Sequence, residues 1–139
     1  MDFFIIDNDP TSREAVGFLL EDEGHTAEGM PWSKGIELRL QMKKCDAILL
    51  ELDSTLPNAL APLLELRALR PDLPVVLLVT DDGVKLAREA MRYGGVDILE
   101  KPFRRESLVM VTERLQRFRQ RSSDIEKRKE RQNIQPQAP

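Results

Sequence analysis

Short unbroken apolar runs alternate along this chain with longer stretches in which apolar residues recur every three to four positions. The runs suit strands covered on both faces, and the periodic stretches suit amphipathic helices. Phe3-Phe4-Ile5-Ile6 is predicted as the first strand. It ends in Asp7-Asn8-Asp9-Pro10, where Asp9 can cap a helix that has Pro10 at its first position, since proline has no N–H to lose there and its φ is already helical. That helix carries Ala15, Val16, Leu19 and Leu20 and stops near Gly24. His25 to Met30 is predicted as a second strand, followed by a helix from about Ser33 with Ile36, Leu40 and Met42 on its inner side.

Ala47 to Leu52 forms the third predicted strand, Asn58 to Leu69 a helix with Pro62 in its first turn, and Pro74 to Val79 the fourth strand. Asp82 to Tyr93 is predicted helical and closed by Gly94-Gly95, because glycine takes the left-handed conformation that ends helices. Val96 to Leu99 is the fifth strand. A last helix follows Pro102, with Leu108, Val111, Leu115 and Phe118 on one apolar stripe. Five β/α units of this kind predict an α/β (β/α)5 domain: one doubly wound parallel sheet between two helical layers, with functional residues at the carboxyl ends of the strands. Residues 1–121 are assigned to this domain and residues 122–139 to a charged, polar extension or linker, loosened at Ser122-Ser123 and unstructured from Asn133.

Composition narrows the picture. A chain of 139 residues with 41% apolar and 32% charged residues is one soluble domain with an aliphatic core, which argues against a multi-domain enzyme. Its apolar runs are too short to cross a bilayer, and Met1-Asp2-Phe3-Phe4 lacks a basic leader. Cys45 is the only cysteine, so neither an intrachain disulfide nor a cysteine zinc site is possible, and a reducing cytoplasm is the expected location. Charge is uneven: residues 1–103 hold 11 Lys/Arg against 19 Asp/Glu, and residues 104–139 hold 10 against 5. The basic end is read as the solvated face of a terminal helix, since mixed charge and scarce aromatics argue against a dedicated nucleic-acid surface.

At the strand ends stand Asp7, Asn8 and Asp9, then Glu51 and Asp53, then Thr80, then Lys101-Pro102. Carboxylates gathered at one point repel one another unless a divalent cation, a lysine or protonation offsets the charge. Magnesium held by carboxylates and waters, opposite Lys101, would bind or transfer a phosphoryl group.

Residues 3 to about 119 resemble the receiver domain of bacterial two-component response regulators. The resemblance rests on Phe3-Phe4-Ile5-Ile6-Asp7-Asn8-Asp9-Pro10, Cys45-Asp46-Ala47-Ile48-Leu49-Leu50, Leu73-Pro74-Val75-Val76, and the run from Gly94 through Lys101-Pro102-Phe103. It implies a flavodoxin-like fold, phosphoryl transfer from a histidine kinase to an aspartate with magnesium bound by neighbouring acids, and a cis Lys101-Pro102 bond. Several positions depart from the family pattern. Asn8 falls where a second acid ligates the metal, and an amide oxygen is a weaker ligand, so magnesium is possible but not required. A gap-free alignment puts Glu51 at the phosphoacceptor position, Val79 at the switch hydroxyl and Ile98 at the switch aromatic. The competing alignment shifts the loop by two residues, making Asp53 the acceptor and Thr80 the switch hydroxyl.

The gap-free alignment implies an atypical receiver, a pseudo-receiver that is not an enzyme and acts through protein partners: a histidine kinase, a phosphotransfer protein or a downstream effector. The resemblance also suggests a homodimer through the fourth helix, fifth strand and fifth helix, with Leu86, Ala90, Val109 and Arg117 as candidates. Glu51-Leu52-Asp53-Ser54-Thr55 further looks like the nucleophile motif of haloacid-dehalogenase-type phosphatases, but with glutamate at the nucleophile and on the third strand. The remaining chemistry-bearing residues receive structural readings: His25 in a surface turn, Cys45 as inert packing, Met30 and Trp32 covering a sheet edge, and Asp81-Asp82 at a helix N-terminus.

Overall fold

The computed structural model describes residues 1–33 and 35–134. Five parallel strands form one sheet in the order β2-β1-β3-β4-β5: β1 (Asp2–Ile6), β2 (Thr26–Met30), β3 (Ala47–Glu51), β4 (Val75–Val79) and β5 (Gly95–Glu100). Helices α1 (Pro10–Asp22), α2 (Ile36–Met42), α3 (Ala61–Leu69), α4 (Val84–Ala90) and α5 (Arg105–Ile134) connect and flank them. The fold is the flavodoxin-like α/β sandwich. Strand alternation divides the core. Phe4, Ile6, Ile48, Leu50, Val75 and Leu77 meet Ile36, Leu40, Leu63, Leu66, Ala87 and Ala90 of α2, α3 and α4. Phe3, Ile5, Leu49, Val76 and Leu78 meet Val16 and Leu20 of α1 and Leu108, Val111 and Leu115 of α5.

Local chemistry sets the boundaries. Asp9 accepts the Thr11 N–H at 3.0 Å and Pro10 opens α1, while Gly24 at φ 89° follows the end of the helix. Gly94, at φ 103°, ends the turn that follows α4, and an added Cβ there would run into the Arg67 side chain. The stretch predicted as one helix over Asp82 to Tyr93 is the seven-residue α4 between two 3-10 turns, Asp81–Gly83 and Met91–Tyr93. Asp81-Asp82 therefore lies in the leading 3-10 turn. Within the sheet, Val75 opposes Gly95 while Val76 opposes Asp97, so Val96 is an extra residue in β5.

Further expectations change: the helix predicted from Asn58 begins at Ala61. Met42 is 76% exposed, because α2 ends there and the chain turns into an extended conformation at Lys43. Phe118 is 46% exposed, since the stripe of α5 leaves the sheet after Leu115. The helix is not loosened at Ser122-Ser123: the Ser122 hydroxyl donates to the Phe118 carbonyl at 3.1 Å, satisfying itself within the helix, which runs on to Ile134. Lys34 and residues 135–139, part of the expected α2 start and unstructured tail, lie outside the described residues. Arg105 pairs with Asp22 and Glu23, Arg114 with Asp97, and Arg119 with Asp46, tying α5 to the body. No helix among the described residues is long and apolar enough to cross a membrane.

Candidate functional site

Strand register decides which polar residues meet. Ile6 pairs with Leu50, Glu51 with Leu78, and Val79 with Glu100, so Asp7, Glu51 and Lys101 emerge together at the carboxyl edge of the sheet. The reversal of strand order between β1 and β3 opens a crevice there. Lys101 lies in it with its Nζ 2.7 Å from Asp7 Oδ2 and 2.7 Å from Glu51 Oε2. The Lys101-Pro102 bond is cis, and the Lys101 N–H donates to the Val79 carbonyl at 2.6 Å.

Asp7 has a completely buried side chain, so its charge needs compensation from the protein. The Asp9 N–H donates to Oδ1 at 2.9 Å, and the Ser12 hydroxyl donates to Oδ2 at 2.8 Å alongside Lys101. Burial opposes ionisation, but hydrogen bonding to Glu51, Lys101, Asp9 and Ser12 outweighs it and holds the carboxyl below its ordinary range. Glu51 shifts the other way. Burial and the adjacent Asp7 carboxylate push it up, and Lys101 only partly counters them. Lys101 is pushed down by burial, yet its two carboxylate partners raise it overall.

Asn8 and Asp53 turn to other work. The Asn8 Oδ1 accepts the Trp32 N–H at 2.9 Å, which ties the loop after β2 to the first strand end. Asp53 Oδ1 accepts the Thr55 N–H at 2.9 Å and its hydroxyl at 2.6 Å, a local turn that keeps the Asp53 carboxyl low. Val79 is buried in the core, Ile98 is half-buried against the α2, α3 and α4 side, and Thr80 is exposed. Sequence reading missed Ser12 and Arg13. Arg13 Nη1 donates to the Asp7 carbonyl at 2.6 Å, and the only signal for both was their place in the first turn of a helix beside Asp7.

The donor set does not make a magnesium site as it stands. Asp7 Oδ2 already holds Lys101 and Ser12, the Asn8 oxygen is committed to Trp32, and the ammonium supplies the positive charge. Among the described residues no group of three or more His, Cys, Asp and Glu side chains is disposed to hold a metal.

Elsewhere, His25 Nδ1 lies 2.9 Å from the N-terminal amine and its ring stands edge-on to Phe3, at the opposite end of the sheet from Lys101. Burial and that amine lower its pKa. Cys45 is buried, which pushes its thiol up to about 11. Met30 and Trp32 pack partly buried against the core. Ala90 is wholly buried, so it drops out of any α4–β5–α5 contact face, whereas Leu86 and Val109 are half-buried and Arg117 is exposed.

The response regulator receiver domain profile matches residues 3–113. The chain is 30% identical over 115 residues to the nitrogen assimilation regulatory protein NtrX of Azorhizobium caulinodans, covering 81% of this chain and 25% of that protein. It is 34% identical over 106 residues to the transcriptional regulatory protein FixJ of the same organism, covering 71% of this chain and 47% of that protein. Against the crystal structure of the receiver domain of NtrX from Brucella abortus it aligns with a TM-score of 0.74 at 28% identity, covering 82% of this chain and 97% of that one. The chain thus spans about a quarter to a half of the curated relatives.

Proposed function

This chain belongs to the response regulator receiver domain family, and on that premise we propose that it is an atypical receiver that signals through protein contacts without conventional aspartyl phosphorylation. The observation that carries the reading is Lys101, held at 2.7 Å by Asp7 and at 2.7 Å by Glu51. Glutamate is one methylene longer than aspartate. Its carboxylate therefore reaches the lysine and delivers the negative charge that a phosphoryl group on a shorter acceptor would deliver. The lysine is already paired from within the chain, and an incoming phosphoryl group would have to displace an ion pair that is mostly shielded from water.

The surrounding residues agree. Val79 and Ile98 occupy the two switch positions of the gap-free alignment with aliphatic side chains, which removes the hydroxyl and the aromatic ring that would report a phosphoryl group. Asn8 serves the Trp32 loop, and magnesium is not required in this reading. The module is non-enzymatic and cytoplasmic. Its partners are proteins of a two-component or phosphorelay pathway: a kinase, a phosphotransfer protein or an effector. The phosphatase reading would need Glu51, a glutamate paired with Lys101, as its nucleophile in place of an aspartate.

A thermal melt with magnesium and beryllofluoride, which mimics an aspartyl phosphoryl group, tests the proposal. The expected result is an unchanged midpoint. Ligand saturation that stabilises the chain by about 2.7 kcal/mol, as at a hundredfold excess over the dissociation constant, and that Asp53→Asn abolishes, would support phosphorylation on Asp53 instead.

A further inference from the structure

Between the carboxyl ends of β1 and β3 and the first turn of α3 lies a cavity of about 70 Å³, with apolar walls of Trp32, Leu56, Ala59 and Pro62 and with Glu51 and Asp53 as its charged lining. Its aromatic wall is fixed in place. The Trp32 backbone N–H donates to Asn8 Oδ1 at 2.9 Å, and its side chain packs half-buried against the α2, α3 and α4 side of the core. The two carboxylates differ in what they have left to bind. Glu51 is paired with Lys101, which lies outside the cavity lining. Asp53 Oδ1 accepts both bonds from Thr55, whereas Oδ2 has no hydrogen-bond partner and the side chain makes no ion pair among the described residues. The Thr55 bonds also keep the Asp53 carboxyl ionised by holding it below its ordinary range. An aromatic, apolar cavity thus carries one uncompensated negative charge.

We infer that this cavity binds a small protonated alkylamine, with its ammonium against Asp53 and the Trp32 ring and its alkyl body between Leu56, Ala59 and Pro62. Size limits the guest. The space holds about five water-sized groups, which is a four-carbon amine. Charge fixes its sign, since an anion would meet two carboxylates and a neutral guest would leave Asp53 uncompensated as it displaced water. An ammonium is attracted both by the carboxylate and by the face of an indole, the strongest aromatic partner for a cation. Magnesium fits less well, because it demands an octahedral set of oxygens and keeps several waters, whereas most of this lining is carbon.

The inference goes beyond the receiver reading and does not rest on it: phosphoryl labelling is read from mass and amine binding from Trp32, so either can fail alone. Trp32 is the only tryptophan in the chain, and its emission reports occupancy directly. The whole chain is titrated with isobutylammonium chloride at constant ionic strength, beside isobutanol as the neutral counterpart and magnesium chloride as the inorganic cation. The expected result is a saturable change in emission with a Kd on the order of 1 mM, the scale for a guest of so few atoms, and no saturable change with isobutanol. Asp53→Asn keeps the acceptor for Thr55 and removes the charge, so it should bind the amine at least about fivefold more weakly with unchanged circular dichroism. Trp32→Leu, followed through the proton resonances of the amine itself, should also bind it several-fold more weakly. No saturable change, an equal response to isobutanol, the same emission change produced by magnesium at equal or lower concentration, or undiminished binding to Asp53→Asn overturns the inference.

Discussion

Replacing Lys101 by methionine keeps the length of the side chain and removes the ammonium, leaving Asp7 and Glu51 facing each other without a cation. The exposures set the magnitude: the Asp7 side chain is 0% exposed, Lys101 16% and Glu51 20%. Removing one partner from a buried pair costs about 3–5 kcal/mol. Asp7 keeps the Ser12 hydroxyl and the Asp9 N–H, and Glu51 reaches solvent, so the lower end applies, about 3 kcal/mol. For a chain of this size that is a fall of about 9–15 °C in midpoint. Glu51→Gln alone removes one arm but also relieves carboxylate repulsion, and its expected effect is within about 1 kcal/mol of zero. The double variant strands one carboxylate instead of two, so Lys101→Met should cost about 1–2 kcal/mol less in the Glu51→Gln background. Urea unfolding of the four proteins at neutral pH measures each corner. Lys101→Met within about 0.5 kcal/mol of the parent, or additive effects, would refute the reasoning.

The pH dependence follows from opposite shifts in one pocket. Asp7 is held below its ordinary 3.8, so the stability it contributes is present above that value and lost as pH falls through the folded-state pKa; Glu51 is raised above 4.5, so its contribution is present below 4.5 and lost as pH rises through the folded-state pKa. Because the lowered His25 pKa makes stability rise with pH over the same range, the Glu51 contribution is read as a difference: from pH 4.5 upward the parent should lose stability, by urea midpoint, relative to Glu51→Gln. Gly94→Ala should destabilise by about 2–3 kcal/mol in chemical denaturation, because the residue sits at φ 103° and its new Cβ would displace Arg67 from the Leu73 carbonyl, which it holds at 2.9 Å. Cys45, buried with its thiol at about 11, should resist a disulfide reagent at mildly alkaline pH in the folded chain and react at once in denaturant; rapid reaction in the native state would contradict its burial.

The fold was legible because its strands are unbroken aliphatic runs and its helix ends carry their own markers, Asp9-Pro10 at one and Gly94 at another. The convergence of Asp7 and Lys101 with an acid from the end of the third strand was legible for the same reason, since each stands at the carboxyl end of a strand, but the choice between Glu51 and Asp53 was not. What the pattern could not supply was the direction of short polar side chains. Asn8 reads as a ligand beside Asp7, yet its amide bonds to the Trp32 N–H on a neighbouring loop. Periodicity also overstates packing once a helix outruns its sheet, as Phe118 shows, and Ser122-Ser123 reads as a break although a serine hydroxyl bonded back to its own helix is tolerated. Ser12 and Arg13 support Asp7 from the first turn of α1, where nothing in their spacing marks them apart from solvent-facing residues.

The central claim is that Glu51, bound to Lys101, occupies the place of the phosphoacceptor. Incubation with magnesium and acetyl phosphate, followed by intact mass beside a conventional receiver that labels under the same conditions, tests it most directly. The account expects no gain in mass in the parent or in Asp53→Asn. Gain of one phosphoryl group by the parent, dependent on magnesium and lost in Asp53→Asn, would contradict it and make Asp53 the acceptor.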